Sequence, residues 1–143
     1  ELVNSKDHFS YLISTSKYGP GELKNSFCTP RGKHIIRAKI GAGQELGTIF
    51  KSRRPTGEIF SDNIHRFDEG DWILTRILWL SGIEKGRNRL GNVDTMQRFI
   101  YIHGTPDETV LGVPNSKGCI NMRNEDIKKI FESAEVGTLV NIE

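Results

Sequence analysis

A mainly β domain with one short helix, an α+β arrangement in a single unit over residues 1–143, is the fold class this sequence predicts. Three observations carry that expectation. Short runs of Val, Ile, Phe, Tyr and Thr recur between Gly and Pro turns, as strands do. One stretch alone, beginning near Asn124, repeats apolar residues at helical spacing. The length of 143 residues is that of one domain, and folding at this size hides roughly 68–70% of the unfolded chain's surface.

The elements follow in order. Phe9 to Ser14 is the first candidate strand, with Tyr11 and Ile13 alternating with Leu12 and Ser14, and Lys17 to Ser26 holds Gly19-Pro20-Gly21 and reads as a turn or exposed loop. Thr29-Pro30-Arg31-Gly32 is a turn, because Pro30 sets φ and Gly32 accepts φ > 0, and it leads into a strand over Ile35 to Ile40 that stops at Gly41-Ala42-Gly43. Gly47 to Ser52 and Gly57 to Phe60 read as short strands about Pro55-Thr56-Gly57. Asp71 to Leu80 is the most apolar run; its length also suits a short helix, but its Gly70 and Gly82 borders favour a strand. Trp72 and Trp79 are expected in the core, with Trp79 also a candidate surface for substrate. Ser81 to Thr95 is a polar loop without apolar period, and Asp94 and Thr95 at its end are minor site candidates. Asn124 is a candidate N-cap, Glu125 and Asp126 suit the positive end of a helix, and Ile127, Ile130, Phe131 and Ala134 form one stripe that ends before Gly137. Thr138 to Ile142 closes the domain as a strand.

A net charge of +2 with interspersed signs carries no footprint for nucleic acid, and no apolar run approaches the roughly 18 residues of a membrane span. Arg53-Arg54 and the run Lys85 to Arg89 read as solvated loop charges. Cys28 is expected to be a buried small hydrophobe. His8, His34 and His65 lack the spacing of a metal site and are expected at the surface or in turns. The chain opens at Glu1 rather than methionine and shows no leader-like segment, which fits either a trimmed chain or a matured exported protein.

The chemistry concentrates between Arg98 and Met122. His103 ends an apolar run, Phe99 to Ile102, and Cys119 follows sixteen positions later inside Ser116-Lys117-Gly118-Cys119-Ile120-Asn121. A thiol nucleophile with a separate base suits this layout: Gly118 opens space for a substrate carbonyl, and backbone N–H groups beside Cys119 suit an oxyanion. A cysteine at its ordinary pKa of about 8.5 is about 3% thiolate at neutral pH, and lowering the pKa to about 6 takes about 3.4 kcal/mol. One cation about 4 Å away at an effective dielectric of about 20 supplies about 4 kcal/mol, so His103 or Lys117 is enough. If residues 117–119 are extended, Lys117 and Cys119 share a side. Taken alone, a cysteine and a histidine at this separation more often mean a buried thiol and a capped imidazole.

The string HGT followed by GVPNSKGCINM resembles the L,D-transpeptidase catalytic domain family (YkuD-like), with Lys117 standing where a histidine is usual. The upstream Thr29-Pro30-x-Gly32 turn is a second point of likeness. The resemblance implies a single-domain, β-sandwich-like L,D-transpeptidase catalytic fold with Cys119 as nucleophile, His103 as base, the Gly104 carbonyl orienting the imidazole, and Gly118 and Cys119, joined by Lys117, forming the oxyanion hole. Ser116 is then a hydroxyl partner or a turn residue, Asn121 a substrate contact or a loop tie, and Arg87, Arg89 and Arg123 are cations for substrate carboxylates. The loop Ser81 to Thr95 becomes a candidate substrate wall. The implied partners are peptidoglycan stem peptides and a carbapenem attached at Cys119, with no metal, organic cofactor or nucleic acid, in a monomer at the cell envelope. The implied reaction is attack on the third residue of a tetrapeptide stem, release of D-alanine, and transfer to an amine; an L,D-carboxypeptidase and a non-catalytic wall-peptide-binding module are the alternatives.

Overall fold

Leu74–Gly82 is apolar at successive rather than alternate positions, and a strand of that pattern requires cover on two faces. In the computed structural model, which describes residues 2–3, 8–65 and 71–143, this run is the central strand of the main sheet. In chain order the strands are β1 (Leu2–Val3), β2 (His8–Phe9), β3 (Ile13–Ser14), β4 (Gly32–Ile40), β5 (Thr48–Lys51), β6 (Arg54–Ile59), β7 (Leu74–Gly82), β8 (Tyr101–Thr105), β9 (Ile120–Arg123) and β10 (Leu139–Ile142). A single turn of helix, α1 (Asp62–His65), and the main helix α2 (Asn124–Ser133) complete them. The mainly β expectation with one principal helix holds.

The main sheet runs β10-β4-β7-β8-β9-β3 and curls into a half-barrel, with the β5–β6 hairpin joined to β7 by the pair Ile49 and Leu74. Every pairing in it is antiparallel except β8 with β9. Side chains alternate across a strand, so the sheet presents two distinct faces. Ile36, Leu78, Leu80, Ile100, Ile102, Ile120 and Met122 form one, and they are covered by Ile127, Ile130, Phe131 and Ala134 of α2. Phe50, Ile77 and Tyr101 form the other, where Ile40, Ile73, Trp79 and Cys119 pack against them.

Several boundaries differ from expectation for local reasons. Phe9 to Ser14 is two short strands, β2 on β1 and β3 on β9, because its ends pair with different neighbours. The hairpin reverses at Ser52 and Arg53, both with positive φ, and Pro55 lies within the exposed edge strand β6, where its missing N–H costs little. Asn124 opens α2 rather than capping it: Arg123 takes the cap position without a side-chain bond, while the Asn124 side-chain oxygen Oδ1 accepts from Thr75 Oγ1 at 2.6 Å. The Ser81 to Thr95 segment is ordered by its own bonds. β7 extends to Gly82, a bridge joins Lys85 to Arg89, and the buried Asn88 donates to the carbonyls of Arg31 and Lys33 at 3.1 Å each. His34 is fully buried rather than at the surface, held between the Gly32 carbonyl and Thr95 Oγ1, and His65 is buried too, stacked on Phe60 and meeting the edge of Trp72.

Candidate active site

The register of β8 on β9 brings the thiol and the imidazole to one sheet face. Ile102 pairs with Ile120 and His103 with Asn121, so Cys119 lies just before β9 beside Tyr101. By alternation Tyr101, His103, Cys119 and Asn121 share the face opposite α2, and Cys119 stands diagonally from His103 across the parallel pair. The Tyr101 N–H donates to Cys119 Sγ at 3.3 Å, and the Phe99 carbonyl oxygen lies 3.5 Å from the same sulfur.

His103 is 2% exposed, and its Nδ1 stands 2.6 Å from the carbonyl oxygen of Gly104. A carbonyl only accepts, so Nδ1 carries the proton and Nε2 keeps the lone pair. Burial is the main cause that pushes the His103 pKa down, with the Gly104 carbonyl and Asp71 opposing it, and a neutral ring is the form at rest. Gly104 has a structural reason to be glycine: a Cβ there would meet the Leu74 carbonyl oxygen at 2.7 Å.

The thiol differs from expectation. Burial pushes the Cys119 pKa up to about 12; the Tyr101 N–H and Arg98 work in the opposite direction and Asp71 adds to the rise. Among the described residues Arg98 is the cation that acts on the thiol, and the arithmetic of a single neighbouring charge fails because burial on the apolar face outweighs it. Lys117 does not provide that charge. Residues 117–119 are bent rather than extended, Gly118 has φ +120°, and Lys117 is exposed, so the same-side argument from strand alternation does not apply.

Gly118 is held from three sides. Its carbonyl accepts from Thr29 Oγ1 at 2.9 Å, its N–H donates to Ser116 Oγ at 3.3 Å, and a Cβ would meet Ile100 Cδ1 at 3.1 Å and the Cys28 carbonyl oxygen at 3.3 Å. The Gly118 N–H is therefore engaged and is not the free oxyanion donor expected. Among the described residues, the amides of Lys117 and Cys119 have no protein acceptor. Ser116 resolves as a turn residue: it is 1% exposed and its hydroxyl donates to the Cys119 carbonyl at 2.6 Å.

Thr29, from the Thr-Pro-x-Gly turn, also accepts from the Ser16 N–H at 2.9 Å, tying the N-terminal segment and the Gly-Cys loop together. Arg98 extends that tie. Its guanidinium donates to the carbonyls of Gly21 and Glu22 at 3.2 Å each and of Cys28 at 2.7 Å. Cys28 is half-buried at this junction rather than in the core, and both cysteines are free thiols.

Of the remaining candidates, Asn121 lines a cleft of about 210 Å³ with Asp71, Trp72, Thr105, Pro106, Thr109 and Asn115. Trp79 is half-buried on the thiol face, its Nε1–H donating to the Met96 carbonyl at 3.1 Å. Arg87 is paired with Glu84 at 3.2 Å, and Glu84 accepts from the Lys33 N–H, so this loop is anchored on the Gly32 turn; Met96, just after its end, bonds to Trp79. Arg89 is exposed beside it, and Arg123 is exposed at the end of β9.

Two residues escaped sequence reasoning. Asp71 acts electrostatically on both His103 and Cys119. Arg53, read as a solvated charge, lies 5.1 Å from the Trp79 ring centre and 4.9 Å from that of Phe99, and donates to Tyr101 Oη at 3.1 Å. Its position at a hairpin tip was the available signal, but which surface the tip meets is a tertiary fact.

L,D-transpeptidase 3 from Mycobacterium tuberculosis is similar with TM-score 0.54 at 17% identity over 100% of this chain and 48% of that one. A structure of that enzyme with a faropenem-derived adduct gives TM-score 0.52 at 17% identity, covering 100% of this chain and 50% of the other. The family follows: the model of the L,D-transpeptidase catalytic domain matches residues 2–142, and the chain belongs to that family. Probable L,D-transpeptidase ErfK/SrfK of Escherichia coli (strain K12) is 47% identical over 45 residues, 32% of this chain and 14% of its own length. Probable L,D-transpeptidase YbiS of the same strain is 49% identical over 43 residues, 30% of this chain and 14% of its own. The chain thus matches a small part of these curated relatives and about half of the solved structures. Among the described residues no helix is long and apolar enough to cross a membrane, and no group of His, Cys, Asp or Glu has the arrangement of a metal site.

Proposed function

We propose that this domain is a cysteine-dependent peptidoglycan L,D-transpeptidase acting at the cell envelope. The observation that carries the reading is the single sheet face shared by Cys119 and His103, with His103 Nδ1 bound to the Gly104 carbonyl so that Nε2 is left to take a proton. The Cys119 thiol gives its proton to that nitrogen as sulfur attacks the carbonyl of the third residue of a tetrapeptide stem. A C–S bond forms, and the oxyanion is met by the amides of Cys119 and Lys117. The C–N bond to D-alanine then breaks, the imidazolium protonating the departing amine. An amine of a second stem or of a wall protein attacks the thioester and restores the thiol.

Because the thiol is neutral at rest, proton transfer is coupled to attack rather than completed before it. Such a resting state protects the sulfur from adventitious alkylation and places the whole demand on the orientation of His103. The same attack opens a β-lactam ring, so a carbapenem becomes covalently attached at Cys119.

Intact mass after incubation with a carbapenem tests the nucleophile. One adduct is expected, absent in Cys119→Ala; no adduct on the unaltered protein at high drug concentration points to a wall-peptide-binding module instead. Digestion of purified tetrapeptide muropeptides then identifies the acceptor. Cross-linked dimers with released D-alanine are expected, whereas tripeptides alone assign the protein as an L,D-carboxypeptidase.

A further inference from the structure

We propose that Arg53, at the tip of the β5–β6 hairpin, binds the terminal carboxylate of the donor stem, on the residue that leaves during acylation. This deepens the transpeptidase reading and rests on it for the identity of the stem. The turn that delivers Arg53 is costly for its residues. Ser52 has φ +48° and Arg53 φ +64°, a two-residue hairpin geometry that favours Asn and Gly. The guanidinium is nevertheless held in one place, over the rings of Trp79 and Phe99 and against Tyr101 Oη. One N–H goes to the phenol, and among the described residues the others have no hydrogen-bond acceptor.

A guanidinium pinned on aromatic rings is ordered before any anion arrives, and its planar fork matches a carboxylate. Among the described residues, no carboxylate lies within ion-pair distance of Arg53, whereas Arg31 and Arg87 are already matched to Glu22 and Glu84. The side chain that Arg53 touches also connects it with the reaction centre: Tyr101 is bound to Arg53 at its hydroxyl and to Cys119 Sγ at its backbone N–H. Phe99 repeats the link, with its ring under Arg53 and its carbonyl beside the same sulfur. In a tetrapeptide whose third carbonyl sits at Cys119, the free C-terminus follows after a single residue, about 3.8 Å of chain, and Arg53 is a cation held on the same thiol face through Tyr101 and Phe99. Such a contact selects stems that still carry their terminal residue, and it is broken when that residue departs.

Calorimetry on the Cys119→Ala protein tests this without turnover, using a muropeptide tetrapeptide and the same compound with its terminal carboxylate converted to the amide. The free acid is expected to bind about 10- to 100-fold more tightly than the amide. Adding Arg53→Met removes that preference while leaving amide binding within about twofold, and Arg53→Lys retains part of it. Equal binding of acid and amide, equal weakening of the two by Arg53→Met, or no binding of either overturns the proposal. D-alanine release by the unaltered protein is scored separately. Carboxylate-dependent binding without release sinks the transpeptidase reading and leaves Arg53 standing; release with no dependence on Arg53 does the reverse.

Discussion

His103 and Cys119 make a pair whose two ordinary pKa values have moved apart, the imidazole down and the thiol up to about 12, because burial disfavours whichever form is charged. The pH dependence of acylation follows from those directions. In the proposed mechanism His103 accepts the proton only when neutral, so the rate of carbapenem attachment is expected to fall on acidification with a midpoint below 6.5, the ordinary value for histidine. No rise with the midpoint of an ordinary thiol is expected above it. Measuring the second-order acylation constant across pH checks this, and a single inflection near 8.5 would contradict it. His103→Gln is expected to slow the same step by about 10²- to 10⁴-fold, the usual share of a general base.

Between elements, the decisive connection is from the Thr-Pro-x-Gly turn to the Gly-Cys loop. Thr29 Oγ1 accepts from Ser16 and donates to Gly118, at a site where the threonine itself is buried. Thr29→Val keeps the shape and removes both bonds, leaving buried polar groups unmatched. A loss of about 1–3 kcal/mol in unfolding free energy is expected from denaturant titration, together with slower acylation, while Thr29→Ser restores both. Unchanged stability and rate in Thr29→Val would show that the turn does not position the loop. Gly118→Ala is expected to be worse than either, since its φ of +120° excludes an ordinary side chain and a Cβ would press on Ile100.

Across the whole molecule, one sheet separates the helix-covered core from the face proposed for the chemistry: α2 covers the side opposite the thiol. Ile127, which is fully buried there, is expected to cost about 2–5 kcal/mol when cut to alanine, with the acylation rate of the folded fraction little changed. The buried histidines add a pH dependence to that stability. His34 and His103 both have pKa values lowered on folding, chiefly by burial, so as pH drops the unfolded chain takes protons first. Their contribution is present above about 6.5 and is lost as pH falls through and below it, which predicts a urea midpoint that declines between pH 7 and 5.

Much of this organisation can be read along the chain. The stripe from Ile127 to Ala134, the apolar run ending in β7, the Pro30 and Gly32 turn and the Cys119 and His103 motif are local patterns, and local backbone preference with side-chain period is sufficient to recognise them. Strand ends near Pro55 and Asn124 were less legible, because pairing partners and a bond from Thr75 overrode the usual turn and cap chemistry. Sequence by itself determined the fold class and singled out the candidate residues for the proposed chemistry, since both depend on residue type and spacing. Only tertiary structure decided that the thiol is neutral at rest, that Lys117 points to solvent, that Ser116 is spent on the turn and that Arg53 is delivered to the aromatic wall. Those outcomes depend on which distant groups share a sheet face and how much water they exclude, and neither quantity is a property of neighbours in the chain.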